Sequence, residues 1–215
     1  QVSAMAAATE KLSFGITVSA TYEQPYALAR RFSALDHLTE GRIAWNIVTS
    51  YLDGAARNLG LAAQISHDER YDLADEVVDV CYQLWEGSWE DDAVVEDREN
   101  QVYADPEKVH PIGHQGKYFS VPGVHLSEPS PQRTPVIWQA GTSGRGRAFA
   151  AKHAEAVFTV APTAQILRRY VDDIREAAQQ NGRDPRSLRI FTEITIVTAA
   201  TDAEAEAKHA EYLEY

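Results

Sequence analysis

The sequence is short of the residues that staple, chelate or span. Its single cysteine, Cys81, has no partner within the chain, so no internal disulfide can form. Set among apolar residues at helical spacing, Cys81 reads as a buried thiol in a reducing compartment, which points to the cytoplasm. No run approaches the ~18–20 continuous apolar residues of a membrane span, and no basic segment followed by an apolar run opens the chain. None of the seven histidines falls in an HxH or HExxH pattern or a Cys/His cluster, so a metal centre has no support. A GxSxG elbow for a hydrolase nucleophile is missing too. Positive charge is scarce: twenty Lys and Arg face thirty-two Asp and Glu, and the net charge of -12 repels nucleic-acid phosphates and anionic membranes alike.

What is present is a rhythm. An alanine-rich helical opening runs into the β-branched segment from Phe14 to Thr21. From Pro25 the residues Leu28, Ala29, Phe32, Leu35 and Leu38 keep a helical period, with proline in the first turn and glycine after the end. RIAWNIVTS is a second strand. The next helix starts near Ser66, which has capping-box spacing to Glu69, and continues with Ala74, Val77, Val78, Cys81, Leu84 and Trp85 on one stripe. Residues 86–134 break the pattern with acidic patches, prolines and turns, and their Trp89, Tyr103, Tyr118 and Phe119 mark them as a packed insertion. Alternation then resumes: strand PVIWQAG, a glycine-led helix, strand AVFTVAP, a long amphipathic helix, strand RIFTEITIVTA and a final helix from about Asp202.

Five strands that each lead into a helix imply parallel crossovers with right-handed connections. An open doubly wound sheet would carry a GxGxxG turn after its first strand, and none stands there. The expected fold is therefore α/β, a (β/α)8 TIM barrel, of which five strands are only a part. A start at Gln1 and an end at Tyr215 inside a helical pattern agree with that expectation. We expect residues 1–215 to be the central part of a single barrel domain, with 86–134 inserted in it.

In such a barrel the chemistry lies at the carboxyl ends of the strands. That narrows the candidates to Thr17, Ser19 and Thr21, to Asn46, Thr49, Ser50 and Tyr51, to Gln139 through Gly144, and to Thr159. In WQAGTSGRGR a buried strand ends in a glycine-rich turn, with Thr142 and Ser143 where a helix begins. Free amides and the helix dipole favour an anion there, helped by Arg145 or Arg147, although an ordinary N-cap gives the same pattern. His67 and Tyr71 stand four residues apart on one helical face, either to hold one ligand or as a capped start with Tyr71 packed on the stripe. Asp36 and Arg42 read as an ion pair around a tight turn, His153 as interior, and Trp89 to Asp92 as a solvated loop.

Taken together, LDHLTEGRIAWNIVTSYLDGAARNLGL, HDERYDLADEVVDVCYQLWEGSWEDDAVV, DPEKVHPI, GKYFSVPGVHLSEPSPQRTPVI and QAGTSGRGRAFAAKHAEAVF closely resemble one branch of the bacterial-luciferase-like superfamily. That branch is the nitrilotriacetate, dibenzothiophene-sulfone and long-chain-alkane monooxygenase group. The resemblance implies a two-component enzyme: reduced FMN, supplied by a separate NADH-dependent flavin reductase, reacts with O2 to a flavin hydroperoxide that oxygenates an organosulfur compound, amino-polycarboxylate or alkane. It implies that Thr17 and Asn46 lie near the isoalloxazine ring, that His67 and Tyr71 reach the ribityl phosphate, and that Gly141, Thr142 and Ser143 cap that phosphate. By the same matching the chain runs from the third to the seventh strand, with the insertion between the fourth helix and the fifth strand. Some relatives have histidine where Tyr51 stands, so the catalytic acid or base is open, with Asn46 and Tyr51 as candidates. The insertion is expected to form part of the wall or lid of the substrate pocket. Exposed barrel helices lead us to expect a homo-oligomer, a dimer or tetramer. Competing readings are a deazaflavin-dependent oxidoreductase, a flavin-binding protein without turnover, and a metal-dependent barrel hydrolase.

Overall fold

The computed structural model describes residues 1–214; Tyr215, the end of the expected final helix, lies outside the described residues. A short helix α1 (Val2–Ala7) precedes strand β1 (Phe14–Ser19), and helix α2 (Pro25–Thr39) leads to β2 (Ile43–Val48). Helix α3 (Asp53–Asn58), which no sequence pattern announced, comes before α4 (His67–Tyr82), and α4 runs into a π turn at Gln83–Gly87. Two small hairpins follow, β3 (Val94–Asp97) with β4 (Val102–Ala104), and β5 (His114–Gln115) with β6 (Ser120–Val121). Alternation resumes with β7 (Val136–Ala140), α5 (Gly144–His153), β8 (Ala156–Thr159), α6 (Ala164–Gln180), β9 (Arg189–Thr192) and α7 (Asp202–Tyr212). Among the described residues no helix is long and apolar enough to cross a membrane.

The main sheet is parallel throughout and its order is β1-β2-β7-β8-β9, so position along the sheet repeats position along the chain. A doubly wound sheet has to reverse direction at a switch point, whereas a barrel adds each strand beside the last. The observed order is the barrel's. Side chains alternate accordingly: Phe14, Ile43, Trp45, Ile47, Ile137 and Val157 join a core with Leu28 and Phe32 of α2, Val77 and Val78 of α4, Phe149 of α5 and Ile174 of α6. All the covering helices share that face. The intervening residues, Thr17, Asn46, Trp138, Phe158 and Phe191 among them, line the other face, where Trp138, Phe158 and Phe191 stand at ring separations of 5.6 and 5.3 Å.

At the centre of the core Phe32, Trp45 and Trp85 meet at 5.5 to 6.4 Å, and both indoles are satisfied by carbonyls, Trp45 at Val18 and Trp85 at Ala29. Each such pair adds about 0.5–1.5 kcal/mol beyond its buried area. The apolar stripe expected on α4 is the buried one, and Cys81 is fully buried, its thiol pKa pushed up by that burial.

The insertion packs against the outer flank of α2 and α4. Glu76 of α4 accepts from the amides of Tyr118 and Phe119, and Arg133 donates to the carbonyls of Trp85 and Trp89. Burial would raise the pKa of Glu76, but those amides and His114 outweigh it and hold the carboxyl below its usual range. The expected Asp36–Arg42 ion pair does not form. Asp36, 1% exposed, instead accepts from the backbone and side chain of Gln132, while Arg42 donates to the carbonyls of Thr39 and Leu12. A buried carboxylate is better served by two directed donors in the insertion than by a guanidinium already occupied at the surface. The run Trp89 to Asp92 is not merely solvated, because Glu90, Asp91 and Asp92 pair with His110, Arg133 and Lys108. The last strand is also shorter than RIFTEITIVTA suggested: β9 ends at Thr192, opposite Thr159 where β8 ends, and Ile194 and Ile196 beyond it are 72% and 75% exposed.

His125 anchors the insertion to α2, with Nε2 2.9 Å from the Ser33 hydroxyl. Burial, with the charge of Arg30, lowers its pKa from the ordinary 6.5 to about 4. The imidazole is neutral in the fold and takes a proton in the unfolded chain, so stability present above pH 6.5 is lost as pH falls towards 4. At about 1.4 kcal/mol per unit the loss is roughly 3 kcal/mol. Urea midpoints measured across that window should fall, and the fall should be visibly shallower in His125→Gln; equal slopes would refute the assignment.

Candidate functional site

Two strand ends meet at the site. After β2 the chain forms a loop to α4, and after β7 it turns at Gly141 to Ser143 into α5; because β2 and β7 pair directly, the starts of α4 and α5 lie side by side. Between them is a cleft of about 460 Å³, lined by residues Val48 to Leu52, Ala55, His67, Arg70, Tyr71, Gln139 and Ala140. The turn and the His67/Tyr71 pair therefore sit together. Tyr71 is 6% exposed and packs on Phe149 at 5.5 Å, with the His67 ring at 5.2 Å. Its hydroxyl stands so close to the turn that a Cβ built on Gly146 would lie 2.7 Å from it, and one on Gly141 at 3.3 Å.

Ser143 is the N-cap of α5 and accepts from the Gly146 amide at 3.0 Å. The first amides of a helix have no partner within it, so those of Gly144 and Arg145 stay available for an acceptor, at the positive end of the dipole. The two arginines of this turn are occupied: Arg145 pairs with Asp72 and Asp75 at 3.0 and 2.6 Å, and Arg147 with Asp173 at 3.3 Å as well as the Thr142 carbonyl. The expected capping box at α4 is absent, for the Ser66 side chain makes no cap bond; Asp68 and Glu69 in the first turn meet the helix dipole instead.

The sequence reading passed over Arg70. It is 8% exposed and lines the cleft, its Nη1 donates to the Ile65 carbonyl at 2.5 Å, and its Nε has no hydrogen-bond partner. No carboxylate pairs with it among the described residues. A buried cation without a counter-charge is expensive, and the helix start makes it more so. That placement was the available signal, since a basic residue in a first turn otherwise made of His67, Asp68 and Glu69 opposes the dipole. Gln139, which also lines the cleft, has a buried Oε1 without a hydrogen-bond partner.

Thr17 on β1 and Asn46 on β2 form a separate pair lower on the sheet. Asn46 donates to Thr17 Oγ1 at 3.0 Å, and its Oδ1 is buried without a partner. Asn46 shares its face with Val48, two residues on and so about 7 Å nearer the cleft. Tyr51 is 78% exposed at the cleft mouth, next to Ser50, whose φ of 57° is left-handed and whose hydroxyl donates to Ser19 at 2.9 Å. Thr159 is buried on the helix-covered face, away from this cleft. No residue of 86–134 lines this cleft.

The profile of the luciferase-like monooxygenase family matches residues 1–215. The chain is 56% identical to dimethyl-sulfide monooxygenase of Hyphomicrobium sulfonivorans and 57% identical to long-chain alkane monooxygenase of Geobacillus thermodenitrificans, each over all of this chain. It spans about half the length of these curated relatives, 45% and 49% respectively. The crystal structure of long-chain alkane monooxygenase superposes with a TM-score of 0.90 over 99% of this chain and 49% of its own. A riboflavin lyase structure, with modified FMN and riboflavin, reaches 0.90 at 42% identity over 99% of this chain and 47% of its own.

The close approach at Gly146 makes a differential prediction. Gly146→Ala drives a methyl into the Tyr71 hydroxyl and the Ser143 cap and should cost about 1–3 kcal/mol. Gly144→Ala, with nothing within 4 Å of its Cβ, should be neutral or slightly stabilising. Denaturant titration of both variants checks the pair, and equal effects would contradict the geometry.

Proposed function

The chain belongs to the luciferase-like monooxygenase family, and from that premise we propose that it is the flavin-holding part of a monooxygenase that uses reduced FMN and O2 to oxygenate a small organic substrate. We read its sheet as strands three to seven of a (β/α)8 barrel with 86–134 inserted after the fourth helix. The strand order and the superposition over about half of longer relatives support that reading.

One observation carries the assignment of the cofactor: Arg70, buried and without a counter-charge, lines the same cleft as Tyr71, whose hydroxyl abuts the Gly141 turn and Gly146 at the capped start of α5. A phosphate monoester fits this donor set. It would give the guanidinium its missing counter-charge and accept from the Gly144 and Arg145 amides, with Ser143, Thr142 and Gly141 shaping the turn around it. His67 and Tyr71 would flank the ribityl chain. Thr17 and Asn46 would meet the isoalloxazine ring, where the unpartnered Asn46 Oδ1 can accept from a ring N–H. When bound, the reduced flavin supplies the two electrons that activate O2, so that one oxygen atom enters the substrate and the other leaves as water.

The protein's own work is to orient and to exclude water. The half-buried face beside Asn46 is aromatic, from Trp138 to Phe158 and Phe191, and offers little competition for a proton. Tyr51, at the mouth, and Asn46 are the side chains we assign to proton handling. Reduced FMN would come from an NADH-dependent flavin reductase, and the substrate would be an organosulfur compound, an alkane or an amino-polycarboxylate. The first two classes are those the relatives at 56% and 57% identity are named for.

The decisive measurement is equilibrium binding of reduced FMN and of reduced riboflavin, which lacks the phosphate, to the intact enzyme. Arg70→Met and Ser143→Asp should each weaken FMN at least about tenfold, or ~1.4 kcal/mol, and leave riboflavin almost unchanged. FMN affinity unaltered in both variants would remove the phosphate from this cleft.

A further inference from the structure

A single carboxylate grips both ends of α5. Asp75, midway along α4, accepts through Oδ2 from Arg145 at 2.6 Å and through Oδ1 from His153 Nε2 at 2.7 Å and Lys152 Nζ at 3.1 Å. Arg145 is in the first turn of α5, whereas Lys152 and His153 are its last two residues. His153 is 5% exposed and wedged between Tyr82 and Phe149, at ring separations of 5.8 and 4.8 Å. Burial alone would raise the pKa of Asp75, but bonds from His153, Arg145 and Lys152 outweigh it and hold the carboxyl far below its usual range.

Tyr71 precedes Asp75 by four residues and so lies on the same face of α4. That face thus touches α5 twice: Tyr71 abuts Gly146 at the helix start, and Asp75 fixes the helix along its length. We infer that Asp75 is a positioning residue for the anion seat, setting the Ser143 cap and the free amides of α5 against Tyr71 and keeping Arg145 away from the cleft. The inference rests on the phosphate reading given above.

Its consequence runs against simple electrostatics. A carboxylate near a dianion repels it, so removing that charge should tighten binding, all the more because Arg145 is then held by the Asp72 carboxylate alone. Positioning demands the reverse. In the intact enzyme Asp75→Asn should therefore weaken reduced FMN by roughly fivefold, the scale of one ordinary hydrogen bond misplaced, while reduced riboflavin changes little. Tighter or unchanged FMN binding would overturn the inference, and so would equal losses for FMN and riboflavin, which is what general loosening of the fold produces. Should Asp75→Asn not fold, His153→Gln cuts one arm of the clamp and should give a smaller loss confined to FMN; no loss overturns the inference. If wild-type enzyme binds FMN and riboflavin equally, the phosphate reading itself fails, independently of Asp75.

Discussion

The pairing of β2 with β7, parallel from Ala44 opposite Val136 to Ile47 opposite Gln139, holds the rest together. The chain leaves β2, builds α4 and the whole insertion, and returns to the adjacent strand. Parallel neighbours require such a crossover, and in this one the helix packs on the sheet while the insertion is tied to the helix's outer side. Since both strands point the same way, their carboxyl ends open onto one spot. The first turn of α4 and the first turn of α5 are thereby juxtaposed, and Tyr71 can rest against Gly146.

Charge is distributed with the same economy. The chain is strongly acidic, and the cations near the cleft are mostly neutralised by it: Arg145 by Asp72 and Asp75, Arg147 by Asp173, Lys152 by Asp75 and Asp79. Arg70 is left over. In an excess of carboxylate, a buried guanidinium escapes pairing only where the fold keeps the acids at a distance, and the residues beside it in the cleft are Tyr71, Gln139 and the β2 loop. A single buried cation without a counter-charge thus stands in a chain whose net charge repels anions in general.

Much of this was legible in the residues. Pro25 at the start of α2, the apolar stripe of α4 and Ser143 before a glycine-led helix are local signals, and local signals survive folding. The residues Glu40 and Gly41, left-handed at φ 54° and 83°, end α2 where the sequence placed its glycine. What escaped reading depends on partners distant in sequence. Asp36 looked destined for nearby Arg42 because nothing in the sequence shows that Gln132 arrives beside it. The hairpin of β5 and β6, two residues on each side, is too short for any period and is held by Glu76. Ile194 and Ile196 extend a convincing β-branched run, yet a strand exists only where a neighbour pairs with it, and β8 stops at Thr159. Arg70 was hidden by the His67/Tyr71 spacing that drew attention to its neighbours.

The hairpin of β3 and β4 turns outward from the anchors that fasten the rest of the insertion, with Val95, Val102 and Tyr103 half exposed along it. Its residues are absent from the lining of the cleft. Mutations that lengthen, shorten or recolour this hairpin therefore leave the residues that line the cleft in place. Changes of length or charge there would alter the outward face that the chain presents and leave the walls of the cleft as they are.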